Sequence, residues 1–204
     1  MIDFATSIVD DIGLLGAAFL IALESIVLPL PSEVVLLLTG FNVSANNFDL
    51  LPAILATTSG SILGAWVLYS LGLAFSKERI YGLNQQFGKY LGIKNTDLDR
   101  AFRWFDRHGA LVVFFGRLLP VLRSLVSVPA GINRMSIFKF TTLTAAGSAI
   151  WNSIWIWVGV SLGAQWLRAE KWATVLDLIV YGLVVVLVLI VFVRIIKRIN
   201  QQPK

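Results

Sequence analysis

Four long stretches of this chain, residues 12–41, 51–76, 109–133 and 140–167, are apolar and almost free of charge, and they decide what it can fold into. A fifth, 173–193, carries a single acid near its start, Asp177. About 20 apolar residues of helix cross a bilayer core, so several of these stretches are long enough to span. A soluble helical bundle would show polar residues recurring at the helical period, and these stretches do not. Only 14% of the residues are charged, against about 25% in a soluble domain. The chain therefore reads as an all-α integral membrane protein.

Composition also removes several chemistries. There is no cysteine, so disulfides, thiolate catalysis and cysteine metal sites are excluded. One histidine, His108, lies in a basic segment and reads as a surface or capping residue. An intramembrane phosphatase using a histidine nucleophile and a second histidine acid lacks its residues. A rhomboid-like serine hydrolase lacks a histidine base near Thr58-Ser59-Gly60. Ligand clusters with zinc spacing are absent from the sequence, so no metal, no cofactor and no enzyme activity are expected. The net charge of +5 comes from basic residues gathered at membrane edges, which is a topology signal and not a nucleic-acid footprint. The start, MIDFATSIVDDIG, is acidic where a cleavable signal peptide would be basic.

Residues 1–11 predict a short interfacial helix, with Phe4, Ile8 and Val9 opposite Asp3, Asp10 and Asp11. The loop 77–108 holds Lys77, Arg79, Lys89, Lys94, Arg100, Arg103 and Arg107, and the tail holds Arg194, Lys197, Arg198 and Lys204. Both are expected in the cytoplasm of a cell whose inner (plasma) membrane holds the chain. With spans at about 140–163 and 173–193 and a cytoplasmic end, parity makes 109–133 enter and leave on one side, as a re-entrant hairpin. Residues 12–41 break at Leu28-Pro29-Leu30-Pro31, because each proline removes a donor and clashes with the turn before it. That break yields either two half-helices of a second hairpin or a bent full span.

Each half then reads as a broken hairpin followed by a span (about 52–76 and 140–163), with an additional C-terminal helix and basic tail over 173–204. Pro29, Pro31, Pro120, Pro129 and Gly131 mark the hairpin breaks, and the hairpins are expected to close near Gly40 and Gly131. An inverted repeat of this kind places irregular backbone near mid-depth, lining a cavity or packed in protein. The pairs Gly60/Gly64 and Gly159/Gly163 suit close helix approach, within the chain or in a homo-oligomer. Trp151, Trp155, Trp157, Trp166 and Trp172 read mostly as interfacial anchors.

Four charges lie inside apolar sequence: Glu24, Glu33, Arg117 and Arg123. Each costs about 3 kcal/mol at the centre of an isolated helix, so they need partners or water. Glu24 and Glu33 bracket one proline break, and Arg117 and Arg123 bracket the other. Arginine suits a phosphate because its planar fork donates two parallel hydrogen bonds and stays charged when desolvated. Ser32 and Ser124 are placed to begin half-helices, whose free N–H groups also favour anions. The acids are candidate proton carriers, and structural ion pairs holding the hairpins shut are the plainer alternative.

These residues also carry a family resemblance. Glu24 through Gly40, Phe115-Gly-Arg117-Leu-Leu-Pro120-Val-Leu-Arg123, and Val128-Pro-Ala-Gly131-Ile-Asn-Arg134-Met135-Ser resemble the motifs of the DedA (VTT, or SNARE-associated) family. Gly64-Ala-Trp-Val-Leu-Tyr69-Ser-Leu-Gly72 and Arg107-His-Gly109 fit the intervening pattern, so the resemblance spans about residues 10–165. Ala65 stands where many relatives have Asp, and no role of that acid carries over. The resemblance implies a transport domain over 12–167. It would move a polyprenyl phosphate (undecaprenyl phosphate in bacteria) or a phospholipid between leaflets, with links to the proton motive force. A lipid-modifying enzyme, a general scramblase and a small-ion transporter are the alternatives.

Overall fold

A computed structural model describes residues 2–26, 32–91, 94–120 and 122–163. Among them every regular element is a helix: α1 (Ile2–Ile12), α2 (Leu14–Ile26), α3 (Ser32–Ser44), α4 (Leu50–Ala74), α5 (Lys77–Leu91), α6 (Asn95–Gly116), α7 (Leu122–Leu125), α8 (Ser127–Ile132) and α9 (Ile137–Leu162). The all-α expectation holds. The C-terminal helix expected over 173–193, with Trp166 and Trp172, lies outside the described residues, as do Pro29 and Pro31.

Helices α4 and α9 are long and apolar enough to cross a membrane. Their outer faces carry Leu55, Leu63, Val67 and Leu71 on α4 and Ile150, Ile154, Trp157 and Val158 on α9, all exposed. An apolar surface of that extent is unsuited to water and suited to lipid. The inner faces are small and polar instead. Thr57, Thr58, Gly60, Ser61, Gly64 and Ala65 are buried on α4, and Thr144, Gly147, Ser148, Asn152 and Gly159 on α9. Small residues admit close helix contact where apolar burial supplies no driving force, because lipid is as apolar as a side chain.

The glycines show what that contact is for. A Cβ on Gly60 would meet the Ala18 backbone, and one on Gly64 the Ala22 carbonyl and Ser25 side chain, so this pair seats α2 along α4. Gly40 and Gly159 face each other where α3 crosses α9, and Gly72 and Gly131 where α4 crosses α8. Gly40 lies inside α3, which continues to Ser44 before the chain turns at Ala45–Asn46. Asn46 there takes a left-handed φ of 61°, and Arg134 takes one of 51° just after α8.

Within 77–108, expected as a loop, Lys77–Leu91 is helical and so is the chain from Asn95 onward, with α6 running without a break from Asn95 to Gly116. Phe105, Gly109, Val113 and Gly116 recur at helical spacing on its buried face, which keeps the helix against the bundle. The Lys94 N–H donates to Asp97 Oδ2 at 3.0 Å and fixes its start. A Tyr81 hydroxyl bond to Asp99 and a Lys77–Asp106 pair at 3.7 Å tie α5 to α6. The break comes at Arg117–Pro120, where the chain turns before α7. Pro129 is not at that break: it occupies the third position of α8, where a missing N–H costs nothing.

Two apolar clusters close the interior. Leu20, Ile21, Leu36 and Ile156 belong to one, packed with Trp151 and Trp155, whose rings meet edge to face at 5.8 Å. These two tryptophans pack inward, while Trp157 is exposed as an anchor would be. Tyr69, Val113 and Phe140 belong to the other, with the Tyr69 and Phe140 rings stacked at 4.8 Å.

Candidate functional site

Glu24 sits in the last turn of α2, 9% exposed, and Ser32 begins α3 on the far side of the proline segment. The Ser32 backbone N–H donates to the Glu24 carboxylate, and Glu33 beside it is within electrostatic reach of the same group. Ser32 thus begins its half-helix as expected, but the charge at that N-terminus is the protein's own Glu24. The Ser32 hydroxyl is fully buried and has no hydrogen-bond partner among the described residues.

Arg123, 7% exposed on α7, forms an ion pair with Glu24. The contact joins residues 99 positions apart and links the two proline breaks. Ser124 follows it, buried, but third in α7 instead of at its start.

Arg117 caps the C-terminus of α6 and is 3% exposed. Its Nη2 donates to Ser127 Oγ at 2.7 Å, and its Nε is buried without a partner. The guanidinium lies 5.9 Å from the Phe140 ring centroid, a cation–π distance. Its stem fills the place of a side chain at Gly147, where a Cβ would strike Arg117 Cβ and the Phe114 carbonyl oxygen. Among the described residues no carboxylate pairs with Arg117. The two arginines act on each other electrostatically, so they share one region of the interior.

The structure thus brings Glu24, Ser32, Arg123 and Arg117 together, with Glu33 half-buried at the edge. The pairing differs from two arginines clamping one ligand: Arg123 is paired with Glu24, and Arg117 has no carboxylate partner among the described residues. Ser127, Phe140 and Gly147 escaped the sequence reading. Ser127 lies ten residues beyond Arg117 across an irregular turn, where helical spacing gives no register. Asn152, fully buried, joins α9 to α4 in the amide orientation that satisfies both its ends: its oxygen accepts from the Thr58 N–H and its nitrogen donates to the Ser148 carbonyl oxygen, both at 3.2 Å.

The VTT domain family matches residues 30–161, which contain every one of these groups except Glu24. The chain belongs to the VTT-domain (DedA) family. It is similar to undecaprenyl phosphate transporter A of Staphylococcus aureus, 34% identical over 77% of each chain. It is similar also to undecaprenyl phosphate transporter A of Bacillus subtilis, 33% identical over 90% of this chain and 88% of that one. An alkaline phosphatase-like protein of Lactococcus lactis subsp. lactis is 36% identical over 95% of this chain and 92% of its own. No solved structure matches the chain. The transporter and membrane-protein names in this family agree with the expectation of a membrane transporter that is not an enzyme.

Proposed function

We propose that this protein carries a polyprenyl phosphate, undecaprenyl phosphate above all, between the leaflets of the membrane, and that Arg117 is the residue that holds its phosphate. The observation that carries this reading is the setting of Arg117: 3% exposed, unpaired by any described carboxylate, with a buried Nε lacking a partner. A buried cation with spare donors suits an anion, and a guanidinium suits a phosphate. The names of the transporter A relatives point to the same lipid.

The architecture favouring that movement is an inverted repeat. In this reading α2–α3 and the segment from the end of α6 through α8 are re-entrant hairpins, and α4 and α9 are the spans. The second arm of each hairpin crosses the span of the opposite half at a glycine pair, Gly40/Gly159 and Gly72/Gly131, which supports a two-fold relationship. The basic segment carried by α5 and α6 faces the cytoplasm in this arrangement. Protons enter through Glu24: on protonation it releases Arg123, which then joins Arg117 on the phosphate, and deprotonation restores the pair and expels the head group. Lower pH therefore favours the loaded state.

The phosphatase-like name of the Lactococcus relative suggests a second reading, hydrolysis of a phosphate ester. Two-metal phosphatases gather carboxylates and histidines about two ions. Among the described residues no three His, Cys, Asp or Glu side chains gather in that way. The one histidine, His108, is exposed on α6 against Trp104. The residue set favours transport.

Proteoliposomes containing the full chain and a fluorescent short-chain polyprenyl phosphate test this directly. Movement between leaflets is expected, faster with an imposed inward proton gradient, and lost in Arg117→Lys, where a point charge replaces the fork. Full activity of Arg117→Lys, or release of inorganic phosphate from the lipid, would overturn the reading.

A further inference from the structure

A groove of about 600 Å³ opens between the end of α4 and the start of α9. Trp66, Tyr69, Ser70 and Leu73 form one wall, and Arg134 and Ser136 belong to the other. Trp66 and Leu73 are exposed on the α4 face assigned to lipid. From Trp66 to Ala74 the helix rises about 12 Å, so the groove runs from the helix ends into the depth of the apolar layer.

Its mouth is positively charged. Arg134 is exposed at the rim, and Lys139 is exposed within the first turn of α9. Arg79 reaches back to donate to the Ala74 carbonyl oxygen at 2.9 Å, placing a third cation at the same end. Glu78 is the acid within electrostatic reach of Arg134. Arg134 holds a φ of 51°, a conformation unusual for a residue without special backbone freedom. Tyr69 fixes that turn by donating its hydroxyl to the Met135 carbonyl oxygen, and Trp66 Nε1 ties α4 to α9 by donating to Thr141 Oγ1 at 2.9 Å. Strained backbone that is held by its neighbours marks a position with a task.

We infer that this groove binds an anionic phospholipid of the surrounding bilayer, its phosphodiester against Arg134 and its acyl chain along Leu73 and Trp66. Basic pockets between membrane helices at a leaflet surface hold acidic head groups in this way, and an aromatic ring suits the interfacial depth. The occupant is a bulk lipid and not the transported one. A solvent-screened arginine gives weak affinity, which suffices for a lipid present throughout the membrane. A scarce substrate calls for a desolvated cation such as Arg117. The site does not depend on the transport reading.

Native mass spectrometry of the purified full chain in mixed micelles of phosphatidylglycerol and phosphatidylcholine tests it. Preferential retention of one phosphatidylglycerol is expected. Arg134→Asn, which removes the charge and tolerates the left-handed turn, should lower that retention about fivefold, the effect of one basic residue near a lipid surface. Ser70→Trp, which leaves Arg134 in place and fills the groove, should abolish it. Arg117→Gln should leave it unchanged. Equal retention of the two lipids, or undiminished selectivity in either groove variant, would overturn the proposal. So would loss in Arg117→Gln, since the lipid would then sit at the central charges.

Discussion

Arg123 on α7 and Glu24 at the end of α2 form an ion pair across the middle of the sequence, with side chains only 8% and 10% exposed. Removing one partner leaves the other buried and unpaired, at a cost of about 3–5 kcal/mol. Glu24→Ala and Arg123→Ala should therefore each lower the melting temperature of the solubilised protein by a large margin. The double variant removes both charges and should lose much less than the sum. A double-mutant cycle by thermal melting in detergent measures this coupling, and strictly additive losses would show that the pair does not hold the two breaks together.

The glycine crossings give a second contrast. A side chain at Gly72 would strike the Val128 carbonyl oxygen, and one at Gly131 the Tyr69 carbonyl oxygen, both rigid backbone groups. Gly72→Val and Gly131→Val should each destabilise by about 1–3 kcal/mol or more, through overpacking. Gly82, on α5, has open space where a Cβ would point. Gly82→Ala should instead gain up to about 1 kcal/mol of helix propensity. Melting curves of the three variants check the order, and a neutral Gly131→Val would mean that α8 does not pack on α4 this closely.

How much of this was legible in the sequence follows from what periodicity carries. The apolar spans at α4 and α9 and the break after Arg117 were readable because uncharged length and proline are local signals. The four interior charges were readable because each is costly where it stands. Their pairing was not. Whether Arg123 meets Glu24 or a ligand depends on how two irregular turns meet in space, and no spacing rule crosses a turn. Helix α6 was misread for a related reason. Its charges favour a loop, yet Phe105 lies among them and, with Gly109 and Val113 at helical spacing beyond the last charge, holds one continuous helix to the bundle.

The proposed re-entrant arrangement makes a topological prediction that the cysteine-free chain is suited to test. Asp106 and Ser136 are exposed on either side of the segment that holds α7 and α8. Asp106→Cys and Ser136→Cys should both be protected from a membrane-impermeant thiol reagent in intact cells and should both react with it in inside-out vesicles. Asn46→Cys, exposed in the turn after α3, should react from the opposite side. Labelling of positions 106 and 136 from opposite sides would make the α7–α8 segment a full crossing and remove the inverted repeat.

In the proposed transport reading, Ser127 orients Arg117 without carrying a charge of its own. Its fully buried hydroxyl takes a hydrogen bond from Arg117 Nη2 at 2.7 Å, from within the first turn of α8. A hydrogen bond to a charged group is worth about 1.5–3 kcal/mol, so Ser127→Ala frees the guanidinium from its orientation while leaving the charge in place. Binding of a polyprenyl phosphate should weaken about tenfold or more, whereas Ser127→Thr, which keeps the acceptor, should bind nearly as the parent does. A merely structural serine would show its loss as a lower melting temperature with affinity preserved in the folded fraction. Titrating each purified variant with the lipid phosphate and with the corresponding uncharged alcohol separates the two. Only the phosphate should distinguish Ser127→Ala from the parent, because only the phosphate uses the fork of Arg117. Equal phosphate affinity in Ser127→Ala and the parent would sink this role for the serine and, with it, the idea that Arg117 must be held in one orientation.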